Sequence, residues 1–199
     1  MTEQTIIING KKFSTYNNGT LLDLSNSKLT FLPEGIFNSI VTLKYLNLSD
    51  NNFVSLPYNI FNNLVKLEYL YIGNNKLNSL PEGIFDNLVN LNELYLGGNN
   101  LTSLPDGIFD NLENLEELYL YNNKLTSLPD GIFNNLVNLR ELFLSQNKLT
   151  SLSLSLSKCI SLYEFHYHNN PITYIPPQLK IFLYLLEIEK SLKMYLNYM

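Results

Sequence analysis

NLEELYLYNNKLTSLPDGIF, residues 114–133, decides how the rest of this chain is read. Nearly the same string stands one block earlier, as NLNELYLGGNNLTSLPDGIF at residues 90–109, and one block later, as NLRELFLSQNKLTSL at residues 138–152. Catalytic chemistry needs its residues once, in one place. Copies at a fixed interval mean that the interval itself is architectural. Aligned on a period of 24, the pattern L-x-x-L-x-L-x-x-N-x-L starts at Leu43, Leu67, Leu91, Leu115 and Leu139, with a degenerate copy at Gly19. A last copy starts at Leu162, one residue early, so the unit before it has 23 residues. The second half of each full unit reads S-L-P-x-G-I-F-x-N-L or a close variant.

The pattern has a physical reading. In L-x-L the two leucines are two apart, so an extended strand turns both to one side and the intervening residue to the other. One such half-apolar unit cannot bury its face alone, whereas stacked copies share one continuous core. Asn51, Asn75, Asn99, Asn123, Asn147 and Asn170 then fall in register after each strand, with Ser27 in the first copy. An amide both donates and accepts, so a column of them satisfies turn backbone that would otherwise be orphaned. Phe37, Phe61, Phe85, Phe109 and Phe133 form a second column, expected to stack on the convex side. Gly35, Gly83, Gly107 and Gly131 precede them as tight turns, and Asn59 is expected to supply the same positive φ in the second copy.

These motifs resemble the leucine-rich repeat family over about residues 19–175. The LPDGIF half resembles the typical 24-residue subtype, as in the variable lymphocyte receptors of jawless vertebrates. The resemblance implies a repeat solenoid bent into a horseshoe, with a parallel β-sheet on the concave face and short helical or irregular convex segments. Extracellular members often cap their ends with paired cysteines, and this chain, with Cys159 alone, departs from that.

Solenoid ends expose apolar core, so caps are required. Residues 1–18 are assigned to an N-terminal β-hairpin cap, with Asn9-Gly10 as a type I′ turn inside IIINGKKF. Seven repeats occupy residues 19–175. Residues 176–199 read as a capping helix with Leu179, Phe182, Leu183, Leu186, Leu192 and Leu196 at apolar positions. The alternating LSLSLSKC at residues 152–159 replaces the LPDGIF block and should close a shorter, altered convex segment, with Cys159 as a small buried filler.

The chain has 199 residues and a net charge of −5, with 41 leucines and 30 asparagines but no Ala and no Trp. It carries no basic cluster of the kind that binds nucleic acid. No run reaches the roughly 18 apolar residues of a membrane span, and the N-terminus lacks signal-peptide character. A cytoplasmic monomer is expected. The sequons at Asn18, Asn47 and Asn100 keep a secreted form open, should a signal peptide have been removed. No serine or cysteine nucleophile has an identifiable base, and there is no glycine-rich phosphate loop. The chain is therefore expected to be non-enzymatic, with no cofactor and no metal. Glu164, His166 and His168 form E-x-H-x-H on one strand face, the one arrangement with metal-ligating chemistry.

What remains free to vary is the outward face of the strands. The residue between the last two leucines reads Asp23, Asn47, Tyr71, Tyr95, Tyr119, Phe143, His166, an aromatic ladder. Two residues earlier come Leu21, Tyr45, Tyr69, Glu93, Glu117, Glu141, Glu164, an acidic one. Two residues later come Ser25, Ser49, Gly73, Gly97, Tyr121, Ser145, His168, where the glycines are expected to leave a shallow depression. Rigidly displayed tyrosines are favoured contact residues, and carboxylates beside them call for a basic patch on the partner. The expected function is protein–protein recognition through Tyr71, Tyr95, Tyr119, Phe143, Glu93, Glu117 and Glu141, flanked by Tyr69, Tyr121, His166 and His168. Carbohydrate or small-ligand capture on the same face, or a structural repeat without a dedicated ligand, are the alternatives.

Overall fold

The computed structural model describes residues 3–197, apart from the side chains of residues 189–190 and 193–197; the placement expected for Leu196 lies outside the described residues. A hairpin, β1 (Thr5–Ile8) and β2 (Lys11–Ser14), leads into seven short strands. These are β3 (Leu21–Asp23), β4 (Tyr45–Asn47), β5 (Tyr69–Tyr71), β6 (Glu93–Tyr95), β7 (Glu117–Tyr119), β8 (Glu141–Phe143) and β9 (Glu164–His166). They pair in chain order into one parallel sheet, each residue meeting the residue 24 positions on, as in Leu94↔Leu118. Only the last step, Glu141↔Glu164, is 23. Seven strands enclose six complete coils. The chain is a repeat solenoid with its strands on one face, and a helix, α1 (Pro177–Asn197), closes the C-terminal end.

The core follows from the repeat. Leu22, Leu46, Leu70, Leu94, Leu118 and Leu142 are fully buried at the strand centres, and Leu24, Leu48, Ile72, Leu96, Leu120 and Leu144 sit two residues on, also buried. On the return path Phe37, Phe61, Phe85 and Phe109 stack in succession at 6.4 Å, and buried Phe133 continues the column. Ile6 and Ile8 of the hairpin are buried against the first coil, and Asn9 and Gly10 both have positive φ (52° and 73°), as a type I′ turn demands.

Asparagine serves this fold in three ways. Asn51, Asn75, Asn99, Asn123 and Asn147 are buried, and each bridges two coils. Asn99 Nδ2 donates to Ile72 O and Leu96 O (3.1 Å each), and its Oδ1 accepts from the Leu77 N–H (3.1 Å). The residue before each column Asn is left-handed: Asp50, Asn74, Gly98, Asn122, Gln146 and Asn169 all have φ between 52° and 70°. Asn and Asp tolerate that region better than most side chains, which favours them at this step. Finally, Asn87, Asn111 and Asn135, with Asn90, Asn114 and Asn138, donate across the convex side to carbonyls of the preceding coil at 2.7–3.1 Å.

Several expectations are corrected. Gly35, Gly83, Gly107 and Gly131 have φ of 65° to 74°, but Asn59 is absent from the left-handed set, so the second turn closes without it. It keeps the backbone bond of the other turns, here from Asn62 N to Asn59 O (3.2 Å), and adds a side-chain bond from Asn62 Nδ2 to Asn59 Oδ1 (3.1 Å). The convex side agrees with the irregular segments expected: it is built of turns, and among the described residues its helical content is one 3-10 segment, Leu154–Lys158, in the altered block. In α1, Leu179 is buried and Phe182, Leu183 and Leu186 pack against the core, whereas Leu192 points outward at 60% exposure. Among the described residues no helix is long and apolar enough to cross a membrane.

Candidate functional site

The outward residues of β4–β9 converge on the concave face because parallel strands in one-to-one register stack identical positions about 4.8 Å apart. The aromatic ladder is continuous. Ring centroids are 6.2 Å apart for Tyr71–Tyr95, 5.2 Å for Tyr95–Tyr119, 4.8 Å for Tyr119–Phe143 and 4.8 Å for Phe143–His166. The last two pairs are nearly parallel, at 12° and 8°. In that half the rings cover one another's faces and offer edges to solvent. Tyr45 extends the ladder at its other end, 5.2 Å from Tyr71. Its position lies in the acidic column, so the column register alone did not bring it in; it crosses diagonally because Asn47 is too short to fill the rung. Tyr69 stands beside it, 6.3 Å away.

The acidic ladder is tied to the aromatic one. Tyr71 Oη donates to Glu93 Oε2 (2.7 Å), Tyr119 Oη to Glu117 Oε2 (2.6 Å), and Tyr163 Oη to Glu141 Oε1 (2.8 Å). Burial, and then the hydrogen bond to a carboxylate, push the Tyr71 and Tyr119 phenols well above their ordinary range. Burial likewise raises Glu93, against the Tyr71 bond that lowers it and with the charges of Glu117 and Glu141 adding to the rise. Among the described residues, the Lys and Arg ion pairs of this surface, Lys44–Glu68 and Arg140–Glu116, lie one column aside. Glu93, Glu117 and Glu141 have none.

The expected depression at Gly73 and Gly97 is filled. A Cβ at Gly73 would lie 2.1 Å from the Tyr95 ring, and one at Gly97 3.0 Å from the Tyr121 ring. Tyr95 and Tyr121 meet edge to face at 5.7 Å, with their hydroxyls in contact. The glycines are thus seats for rings of the next coil. The open space lies further toward the N-terminus, a cavity of about 410 Å³ lined by Asn47, Ser49, Asp50, Tyr71, Asn74, Glu93, Tyr95 and Tyr119. At the other end the His pair is divided: His166 Nε2 bonds Glu164 Oε1 (2.7 Å), and His168 Nδ1 bonds the buried Ser145 Oγ (3.0 Å). The two rings stand at 76° to each other, and among the described residues no three His, Cys, Asp or Glu side chains group as metal ligands.

Comparison with known proteins agrees with the repeat architecture. The leucine rich repeat family model matches in overlapping registers at residues 17–77, 43–101, 66–125, 89–149 and 113–172. No curated protein matches. Among solved structures, the chain is similar to the TLR13–ssRNA13 complex at 31% identity, with a TM-score of 0.72 over 78% of this chain and 22% of that one. It is also similar to a leucine-rich repeat protein of Leptospira interrogans (28% identity, TM-score 0.67, 79% of this chain and 45% of that one). A third likeness is to the Drosophila Toll–Spatzle complex (28% identity, TM-score 0.66, 80% and 25%). The chain therefore spans less than half the length of each of these. With the family model covering most of its length and the same coils laid out in the structure, the chain belongs to the leucine-rich repeat family.

Proposed function

We propose that this chain is a non-enzymatic recognition module whose concave face binds a protein partner through a basic patch. Leucine-rich repeats commonly mediate protein–protein interaction, and one similar structure is itself a complex between two proteins. The observation that carries the finer reading is the uncompensated carboxylate column. Glu93, Glu117 and Glu141 stand on adjacent strands, half-buried and oriented by tyrosine hydroxyls, and among the described residues none of them has an ion-pair partner. Guanidinium or ammonium groups of a partner would relieve that like-charge repulsion, and the tyrosine edges around them supply apolar contact. Tyr71, Tyr95, Tyr119 and Phe143 are the anchors in this reading, with Tyr69, Tyr121, His166 and His168 at its margins. Sugar capture by ring stacking is less well supported, because Phe143 is stacked on both faces and Tyr119 and His166 are each stacked on it by one.

The test is affinity capture from a lysate of the native host with wild type and with a Tyr95→Ala/Tyr119→Ala/Glu117→Lys variant, circular dichroism verifying that both are folded. A protein retained by wild type, released by moderate salt and absent from the variant supports the reading. Equal retention by both moves the interface off this face and overturns it.

A further inference from the structure

Helix α1 has two apolar sides. Leu179, Phe182, Leu183 and Leu186 face the body of the protein. Ile181, Tyr184, Leu185, Ile188 and Leu192 are exposed by 65, 65, 56, 42 and 60%. At 3.6 residues per turn these five fall in a stripe about 100° wide, centred opposite Leu179. Single exposed apolar residues are ordinary, but a contiguous stripe on the far side of an already docked helix is not.

We infer that this stripe is the interface of a homodimer in which two α1 helices lie antiparallel across a two-fold axis. With one helix reversed, Ile181 falls opposite Leu192 and Leu185 opposite Ile188, so four of the five residues meet a large apolar partner, and Tyr184 lies at the margin of the seam. Five side chains of roughly 100 Å² each give about 500 Å² per copy, or about 1,000 Å² in total, the threshold that a specific interface has to clear. Pairing of that size belongs to the weak, transient class, so association is sought at micromolar concentration. The described polar residues beside the stripe, Gln178, Lys180, Glu187 and Ser191, are of mixed charge, whereas a helix lying on an anionic bilayer carries a basic border. The pairing departs from the monomer expected from sequence. It also leaves both concave faces open, so a dimer would present two of them.

Sedimentation equilibrium of the full chain across low to high micromolar concentration is the test. Wild type should rise from 23.0 kDa toward twice that mass, and Leu185→Glu/Ile188→Lys should stay at 23.0 kDa with unchanged circular dichroism and Tm. Chains carrying Leu185→Cys mixed with chains carrying Ile188→Cys should cross-link on oxidation, while Leu185→Cys with Ile181→Cys should not. A wild type that stays monomeric throughout, a variant that associates as wild type does, or a stripe that binds phosphatidylserine vesicles without self-association would each overturn the proposal.

Discussion

Asn99→Ala tests the inner asparagine column where its cost is best defined. Asn99 is buried, and its amide makes three bonds, to Ile72 O, to Leu96 O and from the Leu77 N–H. Their loss is unequal. Ile72 O keeps the Nδ2 of Asn75, and Leu96 O keeps that of Asn123, so each carbonyl retains a partner. Among the described residues the Leu77 N–H has no other acceptor, and it is stranded in the core. One orphaned buried donor costs about 1–3 kcal/mol, and two lost bonds to still-satisfied carbonyls add on the order of 1 kcal/mol together. The total is about 2–4 kcal/mol, which for a chain of this size lowers Tm by roughly 5–15 °C. Asn170→Ala is the internal control. Its site is only half-buried, so water can replace the amide, and the expected cost is about 1 kcal/mol. Urea denaturation of both variants, followed by circular dichroism, gives the comparison. Equal midpoints for the two, or a loss below about 1 kcal/mol for Asn99→Ala, would refute the claim that stranded coil backbone sets the cost.

Gly73→Ala should displace the Tyr95 ring and break the edge-to-face contact with Tyr121 while leaving the buried leucines in place; ring chemical shifts of Tyr95 and Tyr121 read this directly. Glu93→Gln should be at least as stable as wild type at neutral pH. Burial raises the Glu93 carboxyl, so its charge opposes folding above that raised value, and the variant's advantage should fade as pH falls through the carboxylate range, as paired thermal melts would record. Cys159 is buried, with its thiol pushed up to about 12, so iodoacetamide at pH 8 should leave it unmodified until denaturant is added.

Much of this fold was legible because the sequence repeats its own instructions. The period placed each strand, the L-x-L spacing told its buried face from its open one, and Asn9-Gly10 marked the hairpin turn. The site was legible only by column. Position along the strand predicted that Tyr71, Tyr95, Tyr119 and Phe143 share a face, but not how far each ring reaches. Tyr95 spans back to Gly73 and Tyr45 crosses to Tyr71, because a ring is longer than the spacing between coils. The left-handed step before each column Asn left a trace in the sequence, the recurring Asp-Asn, Asn-Asn and Gly-Asn pairs, which only backbone angles made interpretable. Leu192 marks a different limit. Helical periodicity records that residues are apolar, and α1 is apolar on two sides, so periodicity did not say which side faced the body.

The one-to-one register of the strands also bears on how such a chain grows. Leu94 meets Leu118 as Leu70 meets Leu94, and Asn99 bridges to the coil before it as Asn123 does. Each central coil therefore offers its successor the same surface that it meets in its predecessor. Duplicating 24 codons in frame would insert a coil whose contacts already exist on both sides, lengthening the concave face by about 4.8 Å without any new packing problem. Array length is then free to drift by whole units, and only the hairpin and the helix, which have no copies, oppose it.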